Sequence, residues 1–150
     1  MKFREANRVD VPVIIQMIAN DKLGKLREDY TIPLSEAYYA AFEKIDKDRT
    51  QELIVIEDEK GEIIGTMQLS FIQYLTYKGG IRAQVEGVRI RKDQRGKGIG
   101  EKMVKWAIER AKQRKVHLIQ LTTDKKRPEA LKFYEKLGFV ASHEGLKLHL

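Results

Sequence analysis

A strand-like run, a turn with three glycines and a helix-like run succeed one another in residues 88–103, VRIRKDQRGKGIGEKM, with Gly96, Gly98 and Gly100 at alternate positions. No other segment constrains the fold as much. Val88 and Ile90 suit extended chain, and beyond Gly98 the residues Met103, Val104, Ala107, Ile108 and Ala111 recur at helical spacing. A glycine turn leading from a strand into a helix exposes the first helical N–H groups, which have no intrahelical acceptor and carry the positive end of the macrodipole. Such a turn has the form of a pyrophosphate cradle. The phosphate loop GxxxxGK[ST] is absent, and the dinucleotide fingerprint GxGxxG fails because Glu101 or Met103 stands where its third glycine belongs. ATPase and dehydrogenase chemistry are therefore disfavoured.

Charge sharpens that reading. Residues 1–88 carry 12 Lys/Arg against 15 Asp/Glu, whereas residues 89–136 carry 16 against 6, so the basic excess surrounds the glycine turn. A local basic field points to an anionic partner, either nucleic acid or a phosphate-rich small molecule. The chain has no cysteine, which excludes disulfides, thiolate zinc and cysteine nucleophiles. His117, His143 and His149 lack metal-ligand spacing, so no metal is expected. No apolar run approaches the length of a membrane span and no leader-like segment opens the sequence, so the expected location is cytoplasmic, without membrane association.

The 150 residues read as one domain, 1–150. FREA suits a short strand, and Asp10 with Pro12 starts a helix whose apolar face holds Val11, Ile14, Ile15 and Ile18. Ser35 caps a second helix bearing Leu34, Tyr38, Phe42 and Ile45. QELIVIED and EIIGTMQLSFIQ read as an antiparallel hairpin about DEKG. In GGIRAQVEGVRIRK, Val85 lies on the opposite parity from Val88 and Ile90, which predicts a bulge at Glu86–Gly87. VHLIQLTT reads as a buried strand, RPEALKFYEKLGF as a helix stopped at Gly138, and GLKLHL as a closing strand. The predicted order is roughly β-α-α-β-β-β-α-β-α-β-β, an α/β fold whose mixed, mostly antiparallel twisted sheet carries helices on both faces.

Two segments carry a family resemblance. Arg95-Gly96-Lys97-Gly98-Ile99-Gly100 resembles the R/Q-x-x-G-x-G/A signature of the GNAT superfamily of acetyl-CoA-dependent N-acetyltransferases, and ALKFYEKLGF (130–139) resembles its A-x-x-x-Y-E-K-x-G-F helix and turn. The resemblance implies that the amides of Arg95, Gly96, Lys97, Gly98, Ile99 and Gly100 hold the coenzyme A pyrophosphate. It implies that Val88, Arg89 and Ile90 pair with the pantetheine, and that Arg91, Lys92, Arg95 and Lys97 supply charge. Lys132 or Lys136 then reaches the 3′-phosphate. Where relatives often carry Asn before the tyrosine helix, this chain has Arg127. A homodimer is common among such proteins.

An amine with a pKa of ~10.4 is about one part in a thousand neutral at pH 7.4, so freeing it demands ~4 kcal/mol. The resemblance gives Glu86 the role of base; the alternative is an edge carboxylate paired with Arg89 or Arg91. It gives Tyr134 the role of acid toward the departing thiolate and the Val88 N–H that of oxyanion donor. The acceptor region has little motif to match. Glu28, Asp29, Tyr30 and Glu36 cluster there and suit a cationic small amine such as a polyamine or amino sugar, or a protein amine; His143 in the tail is a candidate to close the site. Two rivals remain: a basic nucleic-acid-binding module, disfavoured because no RNP-type or KH-type motif is visible, and a non-catalytic acyl-CoA sensor.

Overall fold

The computed structural model describes residues 1–21 and 24–150, in two compact units, Met1–Gln120 and Leu121–Leu150. The sheet has the strand order β1 (Lys2–Glu5), β2 (Gln51–Glu57), β3 (Ile63–Gln73), β4 (Ile81–Ile90), β5 (Leu118–Leu121). The first four strands pair antiparallel. The His117 N–H donates to Ile81 O at 2.9 Å and Gln120 Nε2 to Gln84 Oε1 at 2.8 Å. Because these two contacts keep one sequence offset, β5 runs parallel to β4 and the sheet is mixed.

Helices cover both faces of this unit. Ile54, Ile56 and Met67 share one face with Glu52 and Phe71, and α4 (Ile99–Gln113) lies over it. There Arg110 grips Glu52 through two hydrogen bonds of 2.8 and 2.7 Å, and Arg114 stacks on Phe71. On the other face, Val55 joins Ala6, Leu34 and residues of α1 (Val11–Ala19) and α2 (Glu36–Lys47) in a second core. Burial on both sides explains why LIVI at 53–56 is a continuous apolar run rather than an alternating one. At the edge, Phe3 of β1 stacks on Trp106 of α4.

The expected boundaries recur. Asp10 caps α1 with Pro12 in the first turn, and the Ser35 hydroxyl accepts from the Ala37 N–H. Asp10 is 5% exposed; it accepts from Arg4 and from the Asn7 N–H, which anchors the chain between β1 and α1. Burial pushes its carboxyl up, but the bonds from Arg4 and Asn7 more than offset this and hold it below the ordinary aspartate value. A depressed native pKa means stabilisation that is complete above the unfolded value of ~3.9 and fades as the pH falls through the native one. Asp10→Ala is therefore expected to cost about 1–3 kcal/mol at pH 7, and urea titrations should show that gap closing below about pH 4.

Two expectations need correction. The strand after Lys115 is half-buried rather than buried, and it is only four residues long. The two strands expected after Gly138 do not form: residues 139–150 carry no strand, and Leu146 and Leu148 are 93% and 86% exposed. Alternation in GLKLHL says which face a neighbour would bury, not that a neighbour exists.

Candidate active site

The predicted bulge is present. Gln68 faces Glu86 and Thr66 faces Arg89, so Gly87 and Val88 together oppose Met67, and Gly87 takes a φ of 61°. The extra residue lies outside the regular ladder, which exposes backbone between β4 and its neighbours. Up to that point Ala83 and Val85 are buried, while Arg82, Gln84 and Glu86 share the opposite face. Glu86 is exposed, and its Oε1 accepts from Gln84 Nε2 at 2.9 Å; Gln84 in turn accepts from Gln120. This amide relay fixes one carboxylate oxygen and leaves the other for a further donor. Pairing of Glu86 with Arg89 or Arg91 does not occur, because Arg89 lies 3.5 Å from the buried Asp21 and Arg91 binds Glu62 and Asp93.

The glycine turn is built as the sequence required. A one-turn helix, Lys92–Gln94, precedes Arg95, and Gly96 and Gly98 adopt left-handed φ of 76° and 73°. Gly98 caps α4 without a side chain, and the first helical bond is donated by the Lys102 N–H to Gly98 O at 3.3 Å. The N–H groups of Ile99, Gly100 and Glu101 precede that bond and have no acceptor within the helix. A Cβ built on Gly96 or Gly98 meets no atom within 4 Å, so the space beside these two glycines is open. Arg95 donates to Ile90 O and Lys97 to Gln94, so their stems brace the turn. Arg91 braces it too, because its guanidinium clamps Asp93 and holds that carboxyl down at about 2.

The expected acceptor residues divide. Glu28 and Asp29 meet at Tyr38: the phenol donates to Glu28 Oε2 and accepts from the Asp29 N–H, both at 3.0 Å. Burial, with Glu28 beside it, pushes that phenol above its usual pKa. Tyr30 packs against the α1–α2 core, and Glu36 is an exposed residue in the first turn of α2. Sequence reasoning missed Gln84 and Gln120, although the alternation Arg82-Gln84-Glu86 was readable as one face of a strand.

In the second unit, α5 (Pro128–Lys136) ends as its motif dictates. The Phe139 N–H donates to Tyr134 O and the Gly138 N–H to Glu135 O, with Gly138 at a φ of 92°, a Schellman closure. That closure folds Phe139 back against the Tyr134 ring, 5.7 Å between centroids, and Phe133 also packs edge-on to it at 5.1 Å. Arg127 caps α5, Lys132 and Lys136 are exposed, and His143 contacts Ser142.

Residues 21–139 match the model of the Acetyltransferase (GNAT) family. The chain is 28% identical over 141 residues, 93% of its length and 80% of the relative's, to an L-methionine sulfoximine/L-methionine sulfone acetyltransferase of Pseudomonas aeruginosa. It is 31% identical over 83 residues, 55% of its length and 53% of the relative's, to an aminoalkylphosphonate N-acetyltransferase of Salmonella typhimurium. Among solved structures, a protein of Bacillus halodurans C-125 described as a transcriptional regulator matches with a TM-score of 0.96 and 54% identity over 99% of both chains.

Proposed function

This chain belongs to the Acetyltransferase (GNAT) family and is an acyltransferase, and from that premise we propose that it moves an acetyl group from acetyl-CoA to the primary amine of a small molecule by direct attack. The observation that carries the reading is the turn at Gly96–Gly100, whose left-handed glycines and free helix-start N–H groups suit a pyrophosphate. Relatives acting on methionine sulfoximine and on aminoalkylphosphonates support a small amine as acceptor.

In this reading the amides from Arg95 to Gly100 hold the pyrophosphate of acetyl-CoA, and the backbone of Val88–Ile90, splayed by the bulge, pairs with its pantetheine arm. Glu86, oriented by Gln84, takes a proton from the acceptor ammonium. The neutral amine then attacks the thioester carbonyl: a C–N bond forms while the oxyanion is met by the Val88 N–H. The C–S bond breaks as the Tyr134 hydroxyl gives its proton to the departing thiolate. The nitrogen sheds its second proton, the phenolate regains one and Glu86 releases the proton it took, all by way of solvent, leaving the neutral amide and free coenzyme A. An acetyl-cysteine relay is impossible in a chain without cysteine, which supports direct transfer with both substrates bound together.

Two measurements test this. Acetyl-CoA at a hundred times its dissociation constant is expected to stabilise the protein by ~2.7 kcal/mol, a melting shift of several degrees that ATP and NAD do not reproduce. Amine-dependent release of coenzyme A, followed with a thiol reagent, is the second, and it has no protein background here. No shift at millimolar acetyl-CoA and no thiol release would sink the reading.

One observation favours a second role, the 54% identity to a protein described as a transcriptional regulator. Against it, Arg91, Lys105, Arg110, Lys112 and Arg114 of the basic stretch meet carboxylates, which leaves fewer charges to track a phosphate backbone. A salt-sensitive mobility shift with duplex DNA, absent with coenzyme A, would reverse the preference.

A further inference from the structure

Arg4, Arg8, Arg89, Arg91, Arg110 and Arg114 each lie within ion-pair distance of a carboxylate. Arg82 does not, among the described residues, although it is half-buried and its Nε is sealed from solvent without an acceptor. Its guanidinium is held by aromatic faces instead, with Cζ 4.6 Å from the Tyr74 ring centroid and 5.2 Å from that of Tyr77. Stacking satisfies the face of the cation but none of its in-plane N–H donors.

The chain accepts strain to hold this arrangement. Tyr77 and Lys78, in the turn Thr76–Gly79 (α3), have φ of 52° and 57°, a left-handed pair that non-glycine residues rarely adopt. Tyr77 also stacks on His117, at 4.8 Å between ring centroids. The His117 ring in turn requires Gly80, where a Cβ would fall 2.4 Å from its Nδ1. A strained turn, a braced tyrosine and an obligatory glycine converge on one guanidinium.

Arg82 lies on the same face of β4 as Gln84 and Glu86. Four residues of extended chain put about 13 Å between the backbone positions of Glu86 and Arg82, so one elongated ligand is needed to reach from one to the other. The geometry points to Arg82 as a specificity-determining residue that binds an anionic tail on the acceptor, a carboxylate or phosphonate several bonds removed from the amine that is acetylated. The planar fork of Arg suits both anions, and the amides of Gln84 and Gln120 offer a polar floor between the two ends. The inference rests on the acetyltransferase reading of the Glu86 site and adds the acceptor class to it.

The test compares kcat/KM for 5-aminopentanoate, 3-aminopropylphosphonate, pentylamine and 1,5-diaminopentane, followed by coenzyme A release. Wild type is expected to prefer 5-aminopentanoate over pentylamine by on the order of 10-fold or more, carried by KM. Arg82→Gln brings that ratio toward one, and Arg82→Glu turns the preference toward the diamine. Arg82→Lys, which keeps the charge but loses the fork, retains part of it. A purely structural arginine would lower all four amines alike and leave their ratios standing, which would overturn the inference, as would a wild-type ratio near one. The wild-type series decides alone if the variants fail to fold. Absence of release with all four amines overturns this acceptor class if acetyl-CoA still raises the melting temperature, and the acetyltransferase reading itself if it does not.

Discussion

Gly98→Val is expected to abolish binding of acetyl-CoA while leaving the fold in place. Gly98 sits at a φ of 73° at the N-cap of α4, a conformation that costs most L-residues about 1–2 kcal/mol and a β-branched one more. A Cβ there meets no protein atom within 4 Å, so the substitution introduces no clash in the core. Its harm is local: the branched side chain stands over the N–H groups of Ile99 and Gly100, and relief of the strained φ turns those donors away. The stabilisation of ~2.7 kcal/mol that acetyl-CoA gives wild type at a hundred times its dissociation constant should fall below ~0.4 kcal/mol at the same concentration, which corresponds to an affinity at least 100-fold weaker. Gly61→Val supplies the control. Gly61 has a φ of 80° with equally open surroundings, but it lies in the β2–β3 turn. It carries a similar strain and should keep the full melting shift. A full shift in Gly98→Val would mean that the anion site lies elsewhere.

What the sequence made legible follows from which signals are local. The bulge at Gly87 was readable because a parity slip between Val85 and Val88 has one cheap solution, an extra residue with a glycine beside it. The glycine turn and the Gly138 helix stop were readable for the same reason: a left-handed φ needs a glycine, and its neighbours in sequence are its neighbours in space. Residues whose partners come from distant segments were not. Arg89 carries no mark that says Asp21 rather than Glu86, yet it lies 3.5 Å from that buried acid. Arg82 and Tyr74 are brought together by the β3–β4 hairpin, and His117 joins through a crossover helix of fifteen residues. Alternation at the C-terminus misled for the converse reason, since a pattern of period two is necessary for a half-buried strand but does not supply its partner.

Glu86→Gln and Tyr134→Phe separate the two proton transfers, and the first is expected to have the larger effect. The isosteric amide keeps the contact with Gln84 in reach but takes no proton, so kcat/KM should fall roughly 10²–10⁴-fold at pH 7.4. That deficit has a diagnostic shape. About one part in a thousand of an amine with pKa ~10.4 is neutral at pH 7.4, but about one part in ten is neutral at pH 9.4. Solvent then supplies what Glu86 supplied, and the ratio of wild type to Glu86→Gln should shrink steadily as the pH rises. An amine of lower pKa should relieve the variant in the same way at fixed pH. Tyr134→Phe behaves differently. By reference values a phenol, at ~10, is a weaker acid than a thiol, at ~8.5, so such a proton transfer is uphill by roughly 2 kcal/mol and its loss should slow turnover without abolishing it. Because it acts on the leaving thiolate, its deficit should not depend on the pKa of the attacking amine. A Glu86→Gln deficit that stays constant from pH 7 to 9.4 would show that the carboxylate orients the acceptor without taking its proton.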